Sequence, residues 1–107
     1  MQNIHMQLEN EKGEILEHFN INFADIYLYV LEAFPDRYST YPWLEGIDEY
    51  GDTFFNFKQI PHVITELEKL RIDLRNHKFE NLDESIIEVM SILKRVKQHI
   101  YIRFIGD

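Results

Sequence analysis

Between Leu44 and Thr53 the chain carries four acids and no base: Glu45, Asp48, Glu49 and Asp52. Carboxylates grouped in this way are the usual ligands of hard cations such as Ca²⁺ and Mg²⁺. Their spacing does not follow that chemistry. With Gly51 at the glycine position of an EF-hand loop, Gly46 and Tyr50 fall where acids belong, and Phe57 falls where the bidentate Glu belongs. No metal ligand, cofactor or catalytic residue is therefore assigned, while Asp48 and Asp52 stay open as a divalent-cation pair or an acid–base pair without a supporting signature. Tyr41, Trp43 and Tyr50 stand among these acids. Acid mixed with aromatic side chains suits a basic protein partner, because charge steers encounter and a rigid ring supplies the desolvated anchor. Tyr41, Trp43, Glu45, Asp48, Glu49, Tyr50 and Asp52 are accordingly the expected partner-binding set. The three rings are equally placed for surface or core, whereas Phe55 and Phe57 are expected in the core.

Other chemistry finds less support. His5 and His18 are expected as cross-strand neighbours, which could share Zn²⁺ as two ligands but leave the rest of a tetrahedral site unfilled. They are expected as two surface histidines on the open face of the hairpin rather than as a zinc site. Ser39, Ser85 and Ser91 lack a G-x-S-x-G context, and neither a Walker nor a dinucleotide glycine pattern occurs. The absence of cysteine excludes disulfides, thiolate zinc sites and cysteine nucleophiles. The formal charge is −8, from 11 basic and 19 acidic residues. That balance argues against phosphate-backbone contact, hence against a nucleic-acid partner, and for a basic partner if a charged one exists. No apolar run approaches the roughly 20 residues of a membrane span, and the N-terminal sequence lacks the pattern of a signal peptide. A cytoplasmic location without membrane association is expected.

The elements that must position the acidic stretch can be read from periodicity. At 107 residues, 45% of them hydrophobic, the chain fits one domain, residues 1–107. Ile4, Met6 and Leu8 alternate with polar residues as in a half-buried strand. Asn10 to Gly13 supplies a turn, and Ile15, Phe19 and Ile21 resume on alternate sites. With Glu11 and Lys12 at the tip, Leu8 faces Ile15, Ile4 faces Phe19 and His5 faces His18. Glu17 on the apolar face and Leu16 on the polar one break this pattern. Asn22 is placed to cap a helix whose stripe is Phe23, Ile26, Tyr27, Val30, Leu31 and Phe34, stopped by Pro35. Leu28 and Tyr29 lie off the stripe, which implies cover on a second side or an exposed aromatic patch.

Asp36 to Gly51 reads as a long connection, and Thr53 to Phe57 as a short strand. Pro61 then opens a helix buried along Ile60, Val63, Ile64, Leu67, Leu70, Arg71 and Leu74, with Glu66, Glu68, Lys69 and Asp73 on its solvated side. After a break at Asn76 to Glu80, Asn81 and Glu84 form a capping-box pattern. The third helix has the stripe Leu82, Ile86, Val89, Met90, Leu93 and Val96, with Lys94, Arg95 and Lys97 complementing the dipole at its end. Ile100, Ile102 and Phe104 alternate again. A strand there needs a sheet to join, and the N-terminal hairpin is the host. The expected class is α+β, a small antiparallel sheet of hairpin plus C-terminal strand covered on one face by about three helices.

One resemblance bears on function. Tyr41-Pro42-Trp43-Leu44, Ile47-Asp48, Tyr50-Gly51-Asp52-Thr53, Phe55-Asn56 and Gln59, with the ending Tyr101, Phe104-Ile105-Gly106-Asp107, resemble a group of small uncharacterised bacterial proteins. That group has a Y-P-x-L…D-x-Y-G-D-T-x-F-N core and a terminal F-I-G-D. The resemblance implies no catalytic residue. Small acidic proteins of this kind also resemble immunity proteins encoded beside bacterial toxins, an analogy that carries no residue assignments. The expectation is a non-catalytic, bacterial, cytoplasmic immunity or inhibitor protein that binds a basic toxin domain. The alternatives are a homo-oligomeric interaction module, for instance a homodimer, and a small metal-dependent enzyme.

Overall fold

A computed structural model describes residues 3–75 and 80–107. Among these, four strands and five helices form an α+β fold. They run β1 (Ile4–Asn10), β2 (Ile15–Phe19), α1 (Ala24–Ala33), α2 (Arg37–Thr40), α3 (Pro42–Glu45), β3 (Asp52–Phe55), α4 (Ile60–Arg75), α5 (Glu80–Leu93) and β4 (Ile100–Gly106). The sheet is antiparallel with spatial order β2-β1-β4-β3. The C-terminal strand does join the hairpin, and it lies in the middle of the sheet, because β3 pairs with its far edge. Alternation then sorts the side chains. Ile4, Met6, Leu8, Ile102, Phe104 and Phe55 point into the core, and Phe104 meets Phe23 of the α1 entry and Phe55 edge-on, with centroids 5.0 and 5.9 Å apart. Val63, Leu67 and Leu70 of α4 and Ile86, Val89 and Leu93 of α5 close that core from the helical side.

On the opposite sheet face the side chains of β1, β4 and β3 bond one another. Gln7 and Glu9 are buried there. Gln7 Nε2 donates to Glu9 Oε2 (2.6 Å), Arg103 Nη1 donates to the same oxygen (3.1 Å), and Arg103 Nη2 donates to Asp52 Oδ2 (2.6 Å). The guanidinium lies 5.4 Å from the centroid of the Phe54 ring, so one arginine fastens β1, β4 and β3 together.

Several expectations are corrected. The hairpin pairs Met6 with Phe19, Gln7 with His18, Leu8 with Glu17 and Glu9 with Ile15, and a bulge lies between Leu8 and Glu9. Leu16 is the extra residue, so Ile15 turns to the open face opposite Glu9, and Glu17 stays on the helical face, where Arg95 bonds it. His5 and His18 are diagonal neighbours, with ring centroids 6.0 Å apart. α1 starts at Ala24 rather than Phe23. Asn22 Oδ1 still accepts the Ala24 N–H (3.0 Å), and it also takes the Ile4 N–H (2.9 Å), tying the helix entry to β1. Tyr29 is buried, so α1 is covered on a second side. Asp36 to Gly51 is not an irregular connection, since α2 and α3 occupy it. Phe57 lies just past β3 and is exposed, against its expected place in the core.

Glu66 is buried rather than solvated. The bases closing the third helix lie just beyond its last residue, Leu93. Of the expected break at Asn76 to Glu80, residues 76–79 lie outside the described residues, whereas Glu80 already belongs to α5, so Asn81 stands inside the helix and does not cap it. A capping box does occur at the entry to α4. Asn56 Oδ1 accepts the Gln59 N–H (3.0 Å), while Gln59 Oε1 accepts the Asn56 N–H (2.8 Å). No described helix is long and apolar enough to cross a membrane.

Candidate functional site

The expected partner-binding residues divide between two structures. Trp43 belongs to α3 and Tyr41 immediately precedes it, and both are built into the body of the protein. Tyr41 is fully buried, packed edge-on against Phe34 with centroids 5.0 Å apart, and its hydroxyl donates to Asp73 of α4. Burial first, and then the Asp73 carboxylate, push the phenol far above its usual range. Tyr41 therefore cannot touch a partner, and the expectation for it is withdrawn. Trp43 is half-buried: its indole stacks on the His62 ring (5.1 Å, 7° between planes) and meets Phe55 edge-on at 6.0 Å.

The start of α3 is held by an acid from a different helix. Glu66 Oε1 accepts the N–H groups of Trp43 and Leu44, and Oε2 also accepts that of Trp43, all at 3.0 Å. A four-residue helix exposes its first amides, and a carboxylate at that end satisfies them and suits the dipole. Burial outweighs these donors and the nearby Lys69 and His62, and it raises the Glu66 carboxyl above the ordinary range.

The rest of the set lies on the loop that links α3 to β3. Asp48 shapes it, since its Oδ1 accepts the Tyr50 N–H (2.9 Å) and its own N–H donates to Thr53 Oγ1 (2.9 Å), a local side-chain turn. The loop then rests on the end of β4, where the Gly106 N–H donates to the Gly51 carbonyl (2.7 Å). A Cβ on Gly106 would lie 2.5 Å from the carbonyl oxygens of Asp48 and Glu49, so only glycine allows this approach. The D-x-Y-G-D-T and F-I-G-D blocks are thus two sides of one contact. With its backbone fixed, the loop presents Tyr50, 71% exposed, beside exposed Asp48 and half-buried Glu49. Glu45 is half-buried on α3. Asp52 is drawn away from the loop tip into the Arg103 network.

Comparison with known proteins gives no match. No protein-family model, no curated protein and no solved structure is similar to the chain at a meaningful level. Among the described residues, no group of three or more His, Asp or Glu is arranged to hold a metal ion, and the Asp48 and Asp52 carboxylates serve different partners.

Two surface features, one beside the site and one at the far end of β4, were missed by sequence reasoning. Phe54, 50% exposed, stands on the open sheet face beside Arg103; strict alternation with buried Phe55 was the available signal. The Lys94, Arg95 and Lys97 group lines an open cleft with apolar walls. Its role at a helix end hid that second possibility.

Proposed function

We propose that the chain is a non-catalytic binding protein that occludes a basic partner protein, in the manner of a bacterial immunity or inhibitor protein acting on a toxin. The observation that carries this reading is Tyr50, an exposed aromatic on a backbone fixed by Asp48, Thr53 and Gly106. An ordinary exposed loop has no need of a rigid ring at its tip. A pre-organised aromatic loses little entropy on docking, which favours its use as an anchor. The acids beside it and the net charge of −8 select a cationic partner by steering its approach. The toxin-inhibitor role adds to this the resemblance to small acidic immunity proteins. The anchor and rim set is Tyr50 with Asp48, Glu49 and Glu45, and half-buried Trp43 lies at its margin.

The test is to co-express the chain with the product of the adjacent gene and to measure association, dissociation and melting for each variant. Tyr50→Ala is expected to speed dissociation at a cost of about 2 kcal/mol or more, with melting unchanged. Glu45→Gln with Glu49→Gln should mainly slow association and flatten its salt dependence. Native binding kinetics in a folded chain carrying all three changes would overturn the reading.

A further inference from the structure

Positive charge is concentrated at one place outside the acidic loop. Lys94, Arg95 and Lys97 follow the last turn of α5 and line an open cleft of about 430 Å³. Leu8, Leu16 and Ile100 are its apolar walls, between the β2 edge and the turn into β4. Arg95 is committed, since it bonds Glu17 and lies 5.3 Å from the centroid of the Phe19 ring. The last carbonyls of the helix are also taken: Met90 and Ile92 accept the N–H groups of Lys94 and Arg95, and Leu93 accepts that of Val96. Lys94 and Lys97 are exposed and form no ion pair among the described residues. Two available ammonium groups over aliphatic walls suit an aromatic side chain carried next to an acid.

We propose that this cleft receives the Asp48–Tyr50 loop of a second copy of the chain. The complementarity is on both surfaces. One offers an exposed ring beside Asp48 and Glu49, and the other offers an apolar cleft rimmed by Lys94 and Lys97. One chain cannot make the contact with itself, because its loop sits on Gly106 and its cleft on Ile100, the two ends of β4. At about 3.3 Å per residue these ends are roughly 20 Å apart. A two-fold axis places each loop in the other chain's cleft and makes the same contact twice, which closes the assembly as a dimer. The proposal rests on the reading of the loop as a binding surface. It adds that, without its basic partner, the loop is occupied by its own kind.

Light scattering after size exclusion, run on the intact chain over a range of concentration and salt, reads the association directly. The expected mass at low salt is twice the 13.0 kDa of one chain, falling to one chain as salt rises. Lys94→Glu with Lys97→Glu, and separately Glu49→Lys, should each weaken the dimer about tenfold or more, and mixing the two variants should restore it. Lys94→Ala with Lys97→Ala repeats the test should the charge reversal disturb α5. A monomer under all conditions, a dimer indifferent to these changes, or growth into larger polymers overturns the proposal. A monomer that still binds the adjacent gene product through Tyr50 removes the dimer alone. Partner binding untouched by Tyr50→Ala removes the loop reading as well.

Discussion

Replacing Glu66 isolates what a single buried carboxylate does for the site. In Glu66→Gln the retained Oε1 can still accept the Trp43 and Leu44 amides, and no charge is desolvated. The change should stay within about 1 kcal/mol of the parent at neutral pH. Glu66→Leu removes every acceptor from the start of α3. Hydrogen bonds to a charged group contribute about 1.5–3 kcal/mol each, and a buried amide left without a partner costs about 1–3 kcal/mol. The desolvation that raises the Glu66 carboxyl offsets part of that loss. A net destabilisation of about 2–4 kcal/mol follows, or a fall in Tm of roughly 10 to 20 °C for a domain of this size. The only Trp of the chain is Trp43, so its fluorescence reports the disturbance of α3 directly. pH gives a second measurement. With the folded carboxyl above its unfolded value of 4.5, the folded chain binds more protons between the two values. The stabilisation linked to that proton is full below 4.5 and is lost as pH rises through the folded value, so the parent should gain on Glu66→Gln as pH falls from neutral. Parent-like melting and fluorescence for Glu66→Leu would refute this account of how α3 is held.

Gly106→Val should cost about 1–3 kcal/mol by forcing the backbone of Asp48 and Glu49 off β4. It should also weaken partner binding more than its stability loss accounts for, as paired titration and melting curves would show. Deleting His99 to Asp107 removes a strand bonded on both sides, together with the buried side chains of Ile102 and Phe104, each worth roughly 1.5–3 kcal/mol. Native circular dichroism and melting in that truncated chain would contradict the placement. Ca²⁺, Mg²⁺ or Zn²⁺ should leave Tm unchanged; a saturable rise that Asp48→Asn with Asp52→Asn abolishes would move the site to a metal-binding role.

The sequence was most informative where one period governed a whole element. Ile4, Met6, Leu8 and Ile102, Phe104 alternate without interruption, and both strands lie where alternation puts them. Leu16 defeated the same logic in β2, because one inserted residue reverses the facing of those beyond it, and only an awkward pair at Leu16 and Glu17 hinted at it. Asn56 and Gln59, three apart before an apolar run, were a readable cap that went unused. Glu66 was not readable at all. It sits among charged neighbours on a regular helix, and its burial follows from α3 docking over it, which no local pattern encodes. Tyr41 and Tyr50 look alike in the sequence. One precedes a helix packed on α4 and the other rides a turn lifted onto Gly106, so tertiary placement alone separates core from candidate site.

The pairing of β1 with β4 has a further consequence, in the order of folding events. Each opposed pair across it, from Ile4 with Gly106 to Asn10 with Ile100, joins positions roughly a hundred residues apart, so almost the whole chain must be drawn closed to form the centre of the sheet. The β1–β2 hairpin needs only a short closure and can form early, but on its own it leaves one edge of β1 open and Met6 and Leu8 uncovered. Until β4 arrives, that edge is a template for any extended chain nearby. Folding should therefore be slow for a domain of this size, with refolding yield falling as protein concentration rises.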